Sequence, residues 1–197
     1  MKILYTIILA GIMVPGTSSD ILNTCDTQSE FSGLQTGFAD PVRDFELNIE
    51  FELSRFEGRS PRPFVAVWVE NEKSESIRTL ALWYNNNRWL PDLKRWYAKH
   101  FEKTQKQDFV DAVTGATRSA GKYTLLWDLK DDNGTPVEAG KYTVHIEAAR
   151  EHGTYQLISR GIELNDEPKS IDLEGGIEIA SAVIEYVKVN PEITSSR

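Results

Sequence analysis

The sequence has a single cysteine, Cys25, among its 197 residues, so no intrachain disulfide can form and no cysteine cage for zinc or an iron–sulfur cluster can be built. It also lacks an excess of positive charge. With 22 Lys and Arg against 30 Asp and Glu, the net charge is −8, the wrong sign for gripping phosphate backbones. Nucleic acid is therefore excluded as a partner. No stretch of about 20 apolar residues exists that would span a bilayer as a helix. The signatures of self-contained catalysis are missing as well: there is no G-x-S-x-G elbow, P-loop, dinucleotide fingerprint or H-E-x-x-H. These absences argue against an independent enzyme.

What is present is globular composition, with 40% hydrophobic and 26% charged residues. A chain of this size buries roughly 70% of its unfolded surface, enough for a core without covalent staples. At the N-terminus, Met1-Lys2 is followed by an apolar run from Ile3 to Val14 and a small-residue exit, Pro15-Gly16-Thr17-Ser18-Ser19. The run is too short to span and has the layout of a cleavable secretory signal, giving a signal peptide at 1–19 and a periplasmic or secreted mature protein. Leu22-Asn23-Thr24 before Cys25 makes a poor lipidation site. Residues 20–43 are polar and read as a flexible lead-in, 44–190 as the folded domain, and 191–197 as a tail.

Hydrophobic periodicity organises the domain. Phe45, Leu47, Ile49, Phe51 and Leu53 alternate with polar residues, the period of a half-buried strand. Strands also follow at Phe64–Val69 and Ile77–Tyr84, joined through a polar turn into a hairpin. The period then changes. Leu93, Trp96, Tyr97, His100 and Phe101 lie at helical spacing, predicting an amphipathic helix from Leu93 to Lys103, capped by Asp92 and packed on the open edge or end of the sheets. Strand patterns return at Tyr123–Asp128, Gly140–Ala149, Tyr155–Ile162 and Ile177–Val189, with a tight turn at Asn133-Gly134 whose two residues both tolerate positive φ. The predicted fold is mostly β, an antiparallel sandwich with one short inserted helix.

Trp127-Asp128-Leu129-Lys130-Asp131-Asp132-Asn133-Gly134, followed by Gly140-Lys141-Tyr142, resembles a signature of immunoglobulin-like domains in flagellar hook-capping proteins. That resemblance implies an immunoglobulin-like sandwich and no particular activity. From about Phe45 to Glu163 the chain resembles a secreted family described as domain of unknown function 2271. The segments that carry this likeness are Phe64 to Val69, Arg78 to Trp83, Asp92 to Tyr97, Asp111 to Thr117 and Glu147 to Gly153.

Asp111-Ala112-Val113-Thr114-Gly115-Ala116-Thr117 resembles the acceptor sequence of periplasmic FMN transferases (the ApbE type), D-x-x-(S/T)-G-A-T. The resemblance implies that Thr117 receives FMN through a phosphoester, with Asp111, Thr114, Gly115 and Ala116 as recognition positions. Arg118 replaces the Ser or Thr that often follows the acceptor, and its guanidinium is suited to a flavin phosphate. The function implied is an extracytoplasmic electron carrier, loaded by an FMN transferase and reduced by a membrane redox partner. The bland alternative makes this segment turn chemistry before a strand, in a cofactor-free module that binds carbohydrate or protein through aromatics such as Trp83 and Trp89.

Two further groupings of chemistry-bearing side chains stand out. His145 and Glu147 share a strand face and His152 lies just beyond, the nearest approach to a metal site, with a solvated or hydrogen-bonded cluster as the expectation and no metal. Asp128, Asp131 and Asp132 lack the spacing of a calcium loop.

Overall fold

A computed structural model describes residues 44–58, 60–104 and 114–189, except for the side chains of 101–104. The expectations for 1–43, for Asp111 and for 191–197 fall outside these residues.

The first strand, β1 (Phe45–Leu53), buries each of the five apolar residues that alternate along it. It pairs with β5 (Gly121–Trp127) on one side and β9 (Ile179–Lys188) on the other. Addition of β8 (Lys169–Leu173) completes a four-stranded sheet in the order β5-β1-β9-β8. The second sheet has the order β4-β3-β2-β6-β7, built from β2 (Phe64–Asn71), β3 (Ser76–Trp83), β4 (Thr114–Gly115), β6 (Gly140–Ala149) and β7 (Tyr155–Leu164). The two inner faces enclose one core that includes Leu47, Ile49, Phe51, Val65, Val67, Trp83, Trp127, Ile146 and Tyr186. The fold is a β-sandwich, as the alternation implied.

Two details differ from the sequence reading. First, the sandwich is not purely antiparallel, because β4 pairs with β3 in parallel, Leu82 opposite Thr114 and Trp83 opposite Gly115. Strand β4, at two residues, is too short to leave a periodic signal. The tight turn at Asn133-Gly134 is present, closed by Gly134 N–H donating to Asp131 O at 3.1 Å, and it lies between strands of different sheets. Only Gly134 takes positive φ, at +80°. Asp131 Oδ1 accepts from the backbone N–H groups of Asn133 and Thr135, both at 2.8 Å, which shapes the loop and holds the Asp131 carboxyl below its ordinary range. The same loop covers the edge of β3: Asp132 N–H donates to Ile77 O at 3.0 Å and Arg78 Nη1 to Asp131 O at 2.6 Å. Blocking an edge in this way prevents further strand pairing there.

Second, the helix covers a sheet face rather than an edge or end. A 3-10 helix, Asn87–Asp92, leads into α1 (Lys94–Thr104). Leu90, Leu93 and Trp96 pack on Phe64, Ala66, Trp68 and Leu82, which form the outer side of the second sheet. Strand β2 is therefore buried on both faces, with Val65, Val67 and Val69 turned to the sandwich core and Phe64, Ala66 and Trp68 to the helix. Its unbroken apolar run, Phe-Val-Ala-Val-Trp-Val, is the pattern of a strand covered on two sides.

Candidate functional site

Strand register brings several chain segments to one end of the sandwich. Leu53 at the end of β1 lies opposite both Gly121 and Ile179. Phe64 at the start of β2 is opposite Ala149, and Val65 opposite Trp83, which in turn faces Gly115. The segments 54–58 and 60–63, the segment 116–120, the turn 150–153 and the loop 174–178 therefore all emerge at that end.

Four of the seven residues of the acceptor-like motif, and Arg118, are placed here. Thr114 and Gly115 form β4, and Tyr84 N–H donates to Gly115 O at 3.1 Å, extending the grip on β3 by one residue. Gly115 has a steric reason to be glycine: a Cβ at that position would sit 3.3 Å from Trp83 Cδ1. Ala116 is exposed and Thr117 half-buried. The exposed Arg118 lays its guanidinium 4.2 Å from the centre of the Trp83 ring and 5.3 Å from that of Tyr123. Trp83 itself is buried and meets Tyr123 edge to face at 5.1 Å, so the arginine rests on a rigid aromatic base. Tyr123 Oη donates to Ser119 O at 2.7 Å, which ties the loop to β5. Sequence reasoning missed Arg62. From the segment 60–63 its Nη1 reaches Thr117 O at 3.5 Å, a contact across 55 residues with no local signal.

The same end is clasped by a buried ion pair. Arg150 Nε donates to both carboxylate oxygens of Glu178, at 3.0 and 2.9 Å. Its Nη1 also donates to Ser60 Oγ at 3.2 Å and to Pro61 O, and the guanidinium lies 4.2 Å over Phe56. These bonds join the turn after β6 to loops of the opposite sheet.

His145 and Glu147 do share a face of β6, the one under the helix, while His152 is exposed in the turn beyond. Glu147 is fully buried and its two oxygens accept from Arg95 N–H and Trp96 N–H, each at 2.8 Å. It performs the capping expected of Asp92, whose Oδ2 is buried without a hydrogen-bond partner among the described residues. His145 stacks on Trp68 at 4.6 Å, and its Nδ1 is hydrogen-bonded to Ser159 Oγ at 2.8 Å. Its Nε2 lies 3.6 Å from Glu70 Oε2, too far for a hydrogen bond. Glu70 accepts from Trp68 Nε1 at 2.9 Å and pairs with Lys99 at 3.0 Å. His100 is fixed in turn: Trp96 O can only accept, so Nδ1 carries the proton at 2.8 Å and Nε2 faces Ser76 Oγ at 2.7 Å. These bonds tie the helix to the sheet.

A model of the family described as predicted periplasmic protein (DUF2271) matches residues 46–181, more than half of the chain. The chain belongs to this family. No curated protein and no solved structure matches it. The DUF2271 span contains both sheets up to the first residues of β9, all of α1, and the Thr117 end. The family description makes the protein periplasmic, and among the described residues no helix is long and apolar enough to cross a membrane.

The polar layer under α1 of this DUF2271 protein gives a pH prediction. Burial pushes His145 below its usual 6.5, Glu70 opposes that shift, and Arg95 and Lys99 reinforce it. The unfolded chain takes up this proton near pH 6.5 while the folded chain takes it up only at lower pH. Stability is therefore lost as pH falls from about 6.5 towards the folded value. Burial by itself would raise Glu70, but the hydrogen bonds from Trp68 and Lys99 and the nearby positive charges bring it below 4.5. The stability it adds is present above 4.5 and disappears only as pH falls through that lower value. Urea midpoints should drop between about pH 7.5 and about pH 5.5, and His145→Gln should flatten the slope. An unchanged slope in that variant would remove His145 as the cause.

Proposed function

We propose that this DUF2271 protein is an extracytoplasmic electron carrier whose flavin is FMN, esterified to Thr117 by a separate transferase. The observation that carries the reading is the placement of the Thr114–Thr117 motif. It leaves a two-residue edge strand, turns outward at the small exposed Ala116, and puts a half-buried threonine beside two arginines. The residues fit the group. Gly115 lets the backbone lie flat against Trp83, and Arg62 and Arg118 offer donors for one phosphate charge.

Attachment at the mass of FMN less one water requires an activated flavin phosphoanhydride such as FAD. Thr117 Oγ1 forms the new bond to phosphorus, the pyrophosphate bond of the donor breaks, AMP leaves, and the hydroxyl proton passes to the transferase. Once attached, FMN supplies reversible electron transfer between a membrane-bound donor and an extracytoplasmic acceptor. A covalent tether suits a compartment where a dissociating cofactor is lost by dilution. The chain's own part is to hold the phosphate, present the cofactor at one end of a rigid sandwich, and keep that end from opening through the Arg150–Glu178 clasp.

A cofactor-free binding module has less in its favour. Trp68, Trp83, Trp96 and Trp127 are buried, and the half-buried Trp89 is covered by Arg88 at 4.2 Å and flanked by His152 at 5.5 Å. The intact mass of the chain from a periplasm containing an active FMN transferase decides between the two. The expected result is one added FMN less water, lost in Thr117→Ala and kept in Thr135→Ala. An unmodified wild-type mass would end the flavin reading.

A further inference from the structure

We infer that Arg62 and Arg118 together form an anion subsite for the phosphate of a flavin mononucleotide. This rests on the reading of Thr117 as flavin acceptor and takes from it only the class of ligand. The two side chains come from loops far apart in sequence, and the strand register brings both to Thr117. Arg62 touches the Thr117 carbonyl at 3.5 Å, and Arg118 is the next residue in the chain. Both are exposed, and neither has an ion-pair partner among the described residues.

Of the other arginines at this end, Arg150 is closed on Glu178, Arg88 lies 3.9 Å from Glu151, and Arg55 is exposed in the same loop as Arg62. In a chain of net charge −8, two exposed guanidinium groups beside one hydroxyl-bearing residue, neither in an ion pair among the described residues, make a local positive site. The pose of Arg118 suits the task. Its guanidinium carbon lies 4.2 Å from the centre of the Trp83 ring, and a guanidinium held against an aromatic ring keeps N–H groups available to donate. Stacking also lowers the side chain's freedom before any ligand arrives, so less entropy is lost on binding. A phosphate monoester or diester presents the planar pair of oxygens that such a fork recognises, whereas riboflavin presents none.

The test uses the full chain made without a transferase, titrated with FMN and with riboflavin while flavin fluorescence is followed. Wild type is expected to bind FMN about tenfold more tightly than riboflavin. Arg62→Gln and Arg118→Gln should each weaken FMN binding roughly three- to tenfold and leave riboflavin unchanged, with the difference shrinking at high salt. Arg118→Lys should recover part of the loss, because it restores charge without the fork. Equal binding of the two flavins, no FMN binding at millimolar concentration, or variants that bind FMN like wild type would each overturn the subsite. Inorganic phosphate that displaces FMN at equal concentration would show a general anion site and overturn the flavin assignment. The covalent mass judges Thr117 separately. A chain that is flavinylated but does not discriminate keeps the acceptor and loses the subsite, and one that discriminates without being flavinylated does the reverse.

Discussion

Glu178→Gln should lower the stability of the domain by about 3–5 kcal/mol, the usual cost of breaking a buried ion pair from one side. Glu178 is fully buried, and Arg150 is only 8% exposed. Removing the carboxylate charge leaves a guanidinium in the interior with its strongest acceptor gone, and Ser60, Pro61 and the Ser54 carbonyl at 3.4 Å do not neutralise it. Thr154 Oγ1 also donates to Glu178, so a second polar contact weakens at the same time. A loss of this size is a large part of the roughly 5–15 kcal/mol that holds a typical domain together. Urea unfolding reads it directly. The paired variant Arg150→Met with Glu178→Met separates charge from packing: it should recover most of the loss, because no unpaired charge remains. A single-variant loss under about 1 kcal/mol would mean that solvent reaches the pair, as it does for surface bridges. The consequence for function is local. The clasp spans the two sheets at the Thr117 end, so Glu178→Gln should also speed amide exchange in the loops 54–58 and 174–178 before the rest of the sandwich opens.

The second large effect is expected at Glu147. Replacement by Ala takes away the acceptor for Arg95 N–H and Trp96 N–H and leaves two donors at the start of α1 unpaired beneath the helix. At about 1–3 kcal/mol for each buried donor left without a partner, the loss should be about 3 kcal/mol. Glu147→Gln should cost about half as much, since an amide oxygen still accepts from one N–H. Trp96, fully buried under the helix, provides the readout: its fluorescence should move to longer wavelength in Glu147→Ala as α1 loosens. Burial pushes the Glu147 carboxyl above 4.5, and the two backbone donors and the Tyr155 hydroxyl offset that only in part. With a folded value above the unfolded one, the group's contribution is full below 4.5 and declines as pH rises through the folded value. Glu147→Gln removes this dependence. The same burial and the Glu147 carboxylate push the Tyr155 hydroxyl upward, so it stays protonated and able to donate.

Why some features could be read from the chain and others not follows from the range of the interactions. Strand β1 was legible because its inward and outward residues differ in hydropathy at every step, and all five inward positions are buried. The body of α1 was legible for the same reason at a period of 3.6, as Leu93, Trp96 and His100 are all buried. Its cap was not. Asp92 stands at the right position in sequence, but the two N–H groups are satisfied by Glu147, 51 residues or more away on a strand that happens to pass beneath. Strand β4 was invisible because a two-residue segment has no period to detect, and β8 was overlooked although its residues alternate in burial.

The candidate site divides along the same line. Sequence alone determined the strand periodicity, the amphipathic helix, the secreted character and the motif ending at Thr117, because each is written in neighbouring residues. Only the tertiary structure decided that Arg62 reaches Thr117, that Arg118 rests on Trp83, and that the helix covers a sheet face and not an edge. It also decided that Glu147 caps the helix and that His145 is bonded to Ser159 within the sheet. Those outcomes depend on strand register and sheet order. They are set by which large apolar surfaces bury one another across the whole chain, and a local window of sequence does not contain that information.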